Sequence, residues 1–102
     1  MNSYNKYTDL QINELVATRL KKKCLLTEDS VLAYMDSGYR TFAPCNNPTD
    51  AMPIIIENEI SMIKSSGGWM CCHGSVGQVE HESLYRGAME LFLMMKDAEN
   101  EG

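Results

Sequence analysis

The last part of the chain contains a helix that is apolar on every side, and this limits what the chain can fold into. The helix is predicted from Leu84 to Ala98, with apolar residues at helical spacing along one face. Its remaining faces also receive apolar side chains, from the run Leu91, Phe92, Leu93, Met94 and Met95. A helix of this kind is buried on more than one side. It is therefore either the central helix of a core or, in part, the interface of a homo-oligomer.

The length of 102 residues suits a single domain, which we predict over residues 1–102. The formal net charge is −5, with 9 Lys and Arg against 14 Asp and Glu. This balance argues against a general nucleic-acid binder, since affinity for phosphates depends on many basic contacts. The charge is divided unevenly: residues 1–40 carry +1 and residues 41–102 carry −6.

The beginning of the sequence gives no sign of export. Residues 1–9 are polar and lack the apolar segment of a signal peptide. No apolar run approaches the roughly 20 residues that a membrane-spanning helix needs. We therefore expect a cytoplasmic protein whose four cysteines remain reduced.

The order of predicted elements is α-ββ-α-ββ-α. A first helix from Asp9 to Lys21 begins at a capping box formed by Thr8 and Gln11. The predicted strands form two hairpin pairs: Val31 to Met35 with Tyr39 to Ala43, and Glu59 to Lys64 with Trp69 to His73. Short links favour antiparallel pairs. We expect an α+β layer fold with one four-stranded, mainly antiparallel sheet covered by helices.

The second helix has two alternative starts. Asn47 can cap a helix from Pro48 to Glu57, in which Pro53 would be an interior proline and would kink the helix. Alternatively, Asp50 caps a helix that starts at Ala51, and Pro53 then lies harmlessly in its first turn.

The adjacent residues Cys71, Cys72 and His73 are the first candidates for chemistry. Structural zinc sites usually show paired ligands such as C-x₂-C, and this spacing is absent. Cys72 and His73 point to opposite faces of a strand, while Cys71 and His73 lie roughly 6.6 Å apart along one face. That distance is too long for a direct proton relay. We expect no metal, no cofactor and no catalytic residue, with thiol chemistry at Cys71 or Cys72 as the enzymatic alternative.

A ligand site is predicted around the start of the second helix. Helix N-termini present free N–H groups that suit anions, and isolated arginines could pair with the same anion. Trp69 follows two glycines at a loop edge, where an aromatic ring can stack on a planar ligand. Structural roles as turn formers, caps and core residues are the alternative for these residues. The candidate ligand-binding residues are Arg40, Cys45, Asn46, Asn47, Asp50, Trp69, His73 and Arg86.

Three blocks of sequence resemble the NinX family of phage and prophage proteins. They are Tyr7 to Asn13, Cys45 to Ser61 and Arg86 to Lys96, and they occur in the family's order. Cys45-Asn46-Asn47-Pro48 is the most specific part, and Met52 stands where the family usually has a tryptophan. The resemblance implies a small phage accessory protein. The family's function is unknown, so it implies no activity.

Our main hypothesis is a non-catalytic binding protein with an anti-defence role, which sequesters a small anionic, nucleotide-derived signal in a pocket shared between subunits. The alternative is an inhibitor that binds a host protein through the acidic C-terminal half of the chain. In both cases we expect no binding to bulk nucleic acid and none to membranes.

Overall fold

Three helices and two separate antiparallel sheets make up the computed structural model, which describes residues 2–101. The helices over those residues are α1 (Asp9–Arg19), α2 (Pro48–Glu57) and α3 (Leu84–Glu101), preceded by a short 3-10 turn at Tyr4–Lys6. The Cα radius of gyration is 13.2 Å, as expected for about 100 residues packed as one compact body.

The first sheet contains three strands in chain order: β1 (Cys24–Leu26), β2 (Val31–Met35) and β3 (Gly38–Thr41). In β2, Val31 and Ala33 are buried while Tyr34 points to solvent, so this sheet buries only one face. The hairpin predicted between β2 and β3 is confirmed. Its left-handed residue is Asp36, with φ of 56°.

The second sheet contains β4 (Ser61–Ser65), β5 (Gly68–His73) and β6 (Gly77–His81), with β5 in the centre. Cys71 of β5 lies opposite Val79 of β6, and both side chains are buried. Gly68 allows a close approach of two backbones, since a Cβ there would lie 2.5 Å from the carbonyl oxygen of His81.

The prediction of one four-stranded sheet is wrong, because each predicted hairpin gains a third strand from its own neighbourhood in the chain. β1 pairs with β2 across the turn at Thr27–Ser30, and β6 pairs with β5 across the turn that follows His73. The two sheets are also covered by different helices. α1 packs on β1 and β2, while α3 packs on β5 and β6.

The second helix starts at Pro48, with Asn47 as its cap and Pro53 inside it. The Oδ1 of Asn47 accepts a hydrogen bond of 3.0 Å from the backbone N–H of Thr49. Proline has no N–H to offer, so the carbonyl of Thr49, four residues before Pro53, lacks its usual helical partner.

The core is centred on α3. Its side chains include the largest fully buried ones, and α1 and α2 both pack against it. The apolar run predicted as core or interface is buried within the chain itself. Four of its residues are fully buried, namely Leu91, Phe92, Leu93 and Met95, and Met94 is partly buried. The core interpretation of this helix is confirmed. Self-association stays a prediction, and a contact with a second copy would need a different surface.

Candidate functional site

Arg86 was a candidate partner for an anionic ligand, but the fold already surrounds its guanidinium group with acceptors. Arg86 is 5% exposed and lies in the first turns of α3. Its Nε donates to Glu90 at 2.6 Å and its Nη1 to Asp9 at 2.7 Å. Its Nη2 donates to the backbone carbonyls of Tyr4 and Tyr7, at 3.0 and 2.6 Å. Arg86 therefore joins the N-terminal segment to α3, and we remove it from the ligand site.

The pKa values around Arg86 agree with a stable ion pair. Burial alone would lower the pKa of Arg86, but its hydrogen bonds to Asp9 and Glu90 raise that pKa above the ordinary value. Partial burial likewise acts to raise the pKa of Asp9. The hydrogen bonds that Asp9 accepts from Arg86 and Asn46 are stronger than this effect, so the pKa of Asp9 is lowered. Both groups are thus held in their charged forms.

The loop from Cys45 to Asp50 is also held by internal hydrogen bonds. The buried Asn13 accepts one from the backbone N–H of Cys45 at 3.0 Å. The Nδ2 of Asn46 donates to Asp9 at 3.1 Å, and Asn47 caps α2. Asp50 accepts a hydrogen bond from the backbone N–H of Ala43 at 2.9 Å. The side chains expected to surround an anion are therefore used to shape the loop.

Arg40 and Asp50 are the two candidate residues that line a common cavity. This groove, of about 300 Å³, lies between β3, α2 and the end of α1. β3 is an edge strand of its sheet, so the side chain of Arg40 reaches the opening of the groove. The residues that line the groove are Leu20, Lys22, Met35, Arg40, Phe42, Thr49, Asp50, Pro53, Ile54 and Glu57.

The groove combines an apolar floor with charges of both signs. Lys22 lies over the ring of Phe42, with its Nζ 5.4 Å from the ring centre. The guanidinium of Arg40 contacts the sulfur of Met35 at 3.2 Å. Within residues 2–101, neither Lys22 nor Arg40 forms an ion pair. Two cations that are free of carboxylates therefore flank an apolar surface.

Trp69 lies at a separate cleft, so the structure does not bring it together with Arg40. This cleft, of about 630 Å³, is wide and is formed by the β4–β5 turn, the end of β6 and Glu82, which follows it. The ring of Trp69 is covered on one side by Lys64, whose Nζ lies 5.5 Å from the ring centre. His73 is in neither cavity. Its Nδ1 lies 2.8 Å from the Oγ of Ser75 and accepts the Ser75 N–H, so it stabilises the turn after β5.

The cysteines that sequence analysis considered for catalysis differ in burial. Burial raises the pKa of Cys71 to about 11 and that of Cys45 to about 12, which disfavours their thiolate forms at neutral pH. Cys72 is partly exposed on the other face of β5. The described residues 2–101 contain no group of three His, Cys, Asp or Glu side chains that could hold a metal ion.

The acidic C-terminal half is less acidic at its surface than its sequence suggests. Glu90 is 1% exposed and paired with Arg86, and the carboxylate of Asp97 binds both Arg19 and the hydroxyl of Tyr4. Glu99 also pairs with Lys96, so among the described residues three of the nine acidic residues in this half form ion pairs with basic side chains of the same chain.

Sequence analysis missed Lys22 and Phe42 as parts of the groove. The first helix was predicted to continue to Lys21, whereas α1 ends at Arg19 and the chain turns back through Lys21, with φ of 59°. The left-handed residue directs Lys22 toward β3. No local pattern in the sequence signals this reversal, because lysine rarely adopts a positive φ.

No family model matches the chain, and no curated protein matches it by sequence. The resemblance to NinX proteins therefore stays a prediction. Over the part of the chain that the structure describes, no helix is both long and apolar enough to cross a membrane.

Proposed function

We propose that this protein is a non-catalytic binding protein that takes a small anionic ligand in the groove between β3 and α2. The observation that carries the proposal is the pair of cations, Lys22 and Arg40, which flank an apolar floor and form no ion pair within residues 2–101. Charge-assisted hydrogen bonds from such cations are the strongest contacts available to a phosphate.

The groove suits a nucleotide better than a simple anion. Asp50 and Glu57 also line it, and their carboxylates can accept hydrogen bonds from a ligand. Thr49, whose carbonyl lacks a helical partner because of Pro53, belongs to the same lining. A simple anion would be repelled by the two carboxylates. A nucleotide offers a phosphate to the cations, amino and hydroxyl groups to the acceptors, and the apolar face of a base to Met35 and Pro53.

The anti-defence role is the second part of the proposal, and its support is the resemblance to phage and prophage accessory proteins. In an infected bacterium, a non-catalytic protein with this groove would lower the concentration of a nucleotide-derived defence signal by holding it. The volume of about 300 Å³ is at the small end for ligand pockets, which favours a mononucleotide or one half of a larger molecule.

Calorimetric titration with a panel of linear and cyclic nucleotides tests the proposal. We expect at least one nucleotide to bind, and Arg40→Glu to weaken its binding by about tenfold or more, since a charge-assisted hydrogen bond is replaced by repulsion. Lys6→Glu is the matched control, because it changes the net charge equally at an exposed position outside the groove. We expect it to leave the affinity unchanged.

Two outcomes would contradict the proposal. One is silence across the whole panel. The other is equal loss of affinity in Arg40→Glu and Lys6→Glu, which would show a general charge effect and not a site. A silent panel together with capture of one host protein in stoichiometric amount would favour the alternative, an inhibitor that acts through its acidic surface.

A further inference from the structure

The outer edge of β1 offers unpaired backbone groups. Two backbone hydrogen bonds show which residues beside β1 face β2. The N–H of Tyr34 donates to the carbonyl of Lys23, and the N–H of Thr27 donates to the carbonyl of Ser30, so Lys23 and Thr27 direct their backbone groups toward β2. Backbone groups alternate in direction along a strand. The residues between them, Cys24 and Leu26, therefore direct their N–H and C=O groups away from the sheet, at an edge that another strand can extend.

The side chains of this edge are apolar and exposed. Leu25 is 50% exposed and Leu26 is 57% exposed, and they lie on opposite faces of the same short strand. Protected edge strands usually carry an inward charge, a proline or a bulge, and β1 has none of these. Both leucines would gain burial if a strand were added at this edge.

The charges that flank β1 indicate which strand would fit. Three lysines, Lys21 to Lys23, precede β1, and two acidic residues, Glu28 and Asp29, follow it in the turn to β2. The segment is therefore basic at one end, apolar in the middle and acidic at the other end. A segment with this order is complementary to an antiparallel copy of itself.

We propose that β1 pairs with β1 of a second copy, in antiparallel orientation about a two-fold axis at Leu25. The pairing joins the two first sheets into one six-stranded sheet and is isologous, as in most dimers. Cys24 then exchanges backbone hydrogen bonds with Leu26 of the partner subunit. The two Leu25 side chains meet on one face, and the lysines of each copy lie beside the acidic turn of the other.

The edge strand β4 of the second sheet is the main competitor for this role. Ile63 of β4 is 48% exposed, which is comparable with Leu25. The cation of β4, however, is already engaged: the Nζ of Lys64 donates to the carbonyls of Ser65 and Gly68, both at 3.2 Å, and lies over Trp69. Lys22 and Lys23 also lie over aromatic rings, those of Phe42 and Tyr34, but β1 has three lysines at one end and two acidic residues at the other, whereas β4 contains a single cation.

Light scattering after gel filtration, over a range of concentrations, tests the proposal. We expect the full chain to reach twice its mass of 11.5 kDa, and Leu25→Lys to return it to the mass of one chain. Ile63→Lys is the matched control, with the same change at an equally exposed edge residue, and should remain dimeric. Far-UV circular dichroism verifies that each variant is folded.

Charge reversal tests the antiparallel arrangement. Glu28→Lys/Asp29→Lys and Lys21→Glu/Lys23→Glu each place like charges together in a homodimer, so each variant alone should be monomeric. An equimolar mixture restores opposite charges at both ends and should recover the dimer mass. Lys22 is left unchanged because it belongs to the proposed ligand groove, so this test and the nucleotide titration can fail independently.

Three results would overturn the proposal. The first is a monomeric wild type at concentrations up to about 1 mM, the weak end of measurable association. The second is a monomer produced by Ile63→Lys and not by Leu25→Lys, which would locate the contact on β4. The third is a mixture of the two charge-reversed variants that remains monomeric.

Discussion

Removal of the Arg86 side chain should destabilise the fold more than any other change of a charged residue that we consider. Arg86→Met leaves Glu90, which is 1% exposed, without its cation. It also removes the donor to the carbonyl of Tyr7 and one of the two donors to the carbonyl of Tyr4, which keeps the N–H of Tyr7. Breaking one side of a buried ion pair costs about 3–5 kcal/mol. A domain of this size has a total stability of about 5–15 kcal/mol, so the variant loses a large part of it.

The double variant Arg86→Met/Glu90→Leu distinguishes the ion pair from simple packing. It leaves no buried charge at the two positions, so we expect it to be about 2 kcal/mol more stable than Arg86→Met alone. Arg40→Met is the control, because Arg40 is exposed and forms no ion pair within residues 2–101, and it should change stability by less than about 0.5 kcal/mol.

Urea unfolding followed by far-UV circular dichroism measures all three variants. With a slope of about 1–3 kcal/mol per M urea, Arg86→Met should lower the midpoint by about 1 M or more. A loss smaller than about 1 kcal/mol for Arg86→Met would refute the reasoning. So would a double variant that is less stable than the single one, since the cost would then come from lost volume and not from an unpaired charge.

Three further predictions follow from residues described above. When the native protein is treated with a maleimide at neutral pH, Cys45 and Cys71 should remain unlabelled until the protein is unfolded, as mass spectrometry of peptides would show. Equal labelling of Cys71 and the partly exposed thiols of Cys24 and Cys72 would contradict the burial of Cys71. Gly68→Ala should lower the free energy of unfolding by about 1–3 kcal/mol, because the new Cβ would lie 2.6 Å from the Cα of Glu82. Gly67→Ala is the control, since its Cβ meets nothing within 4 Å, and it should leave the free energy of unfolding unchanged. Asp9→Asn should flatten the dependence of stability on acid pH. Because the pKa of Asp9 is lowered by folding, its ionised form stabilises the fold at pH values above the ordinary pKa of 3.8, and this contribution is lost as the pH falls from 3.8 through the lowered pKa. An unchanged acid profile of the free energy of unfolding would contradict that last prediction.

The strands predicted from sequence are those of two hairpins whose turns are marked by polar residues and glycine. Val31–Met35 was predicted with the observed bounds, because five consecutive apolar residues end at the turn that starts with Asp36. β1 was missed because it has three residues and exposes both leucines, and β6 because Val79 is its one buried residue. Neither strand is long and apolar enough to be recognised, so the number of strands in each sheet could not be read from periodicity.

The ligand site was only partly predictable for a related reason. Arg40 and Asp50 were identified by residue type and line one groove, but the type of a polar residue does not tell whether its partners come from the fold or from a ligand. Arg86 illustrates the difference. It precedes Glu90 by four residues in the N-terminal half of α3, where most other residues are apolar, and this spacing indicates an ion pair that can be buried. That signal was present in the sequence, and it favours a structural role.

The position of α3 in the chain has a consequence for synthesis. α1, α2 and the second sheet all pack against α3, yet its 18 residues are translated after every one of those elements. At about 5–20 residues per second, a ribosome needs about 1–4 seconds to make α3. During that interval the apolar faces that α3 will cover have no partner. Slow codons within α3 would therefore lengthen the time for which those faces are exposed.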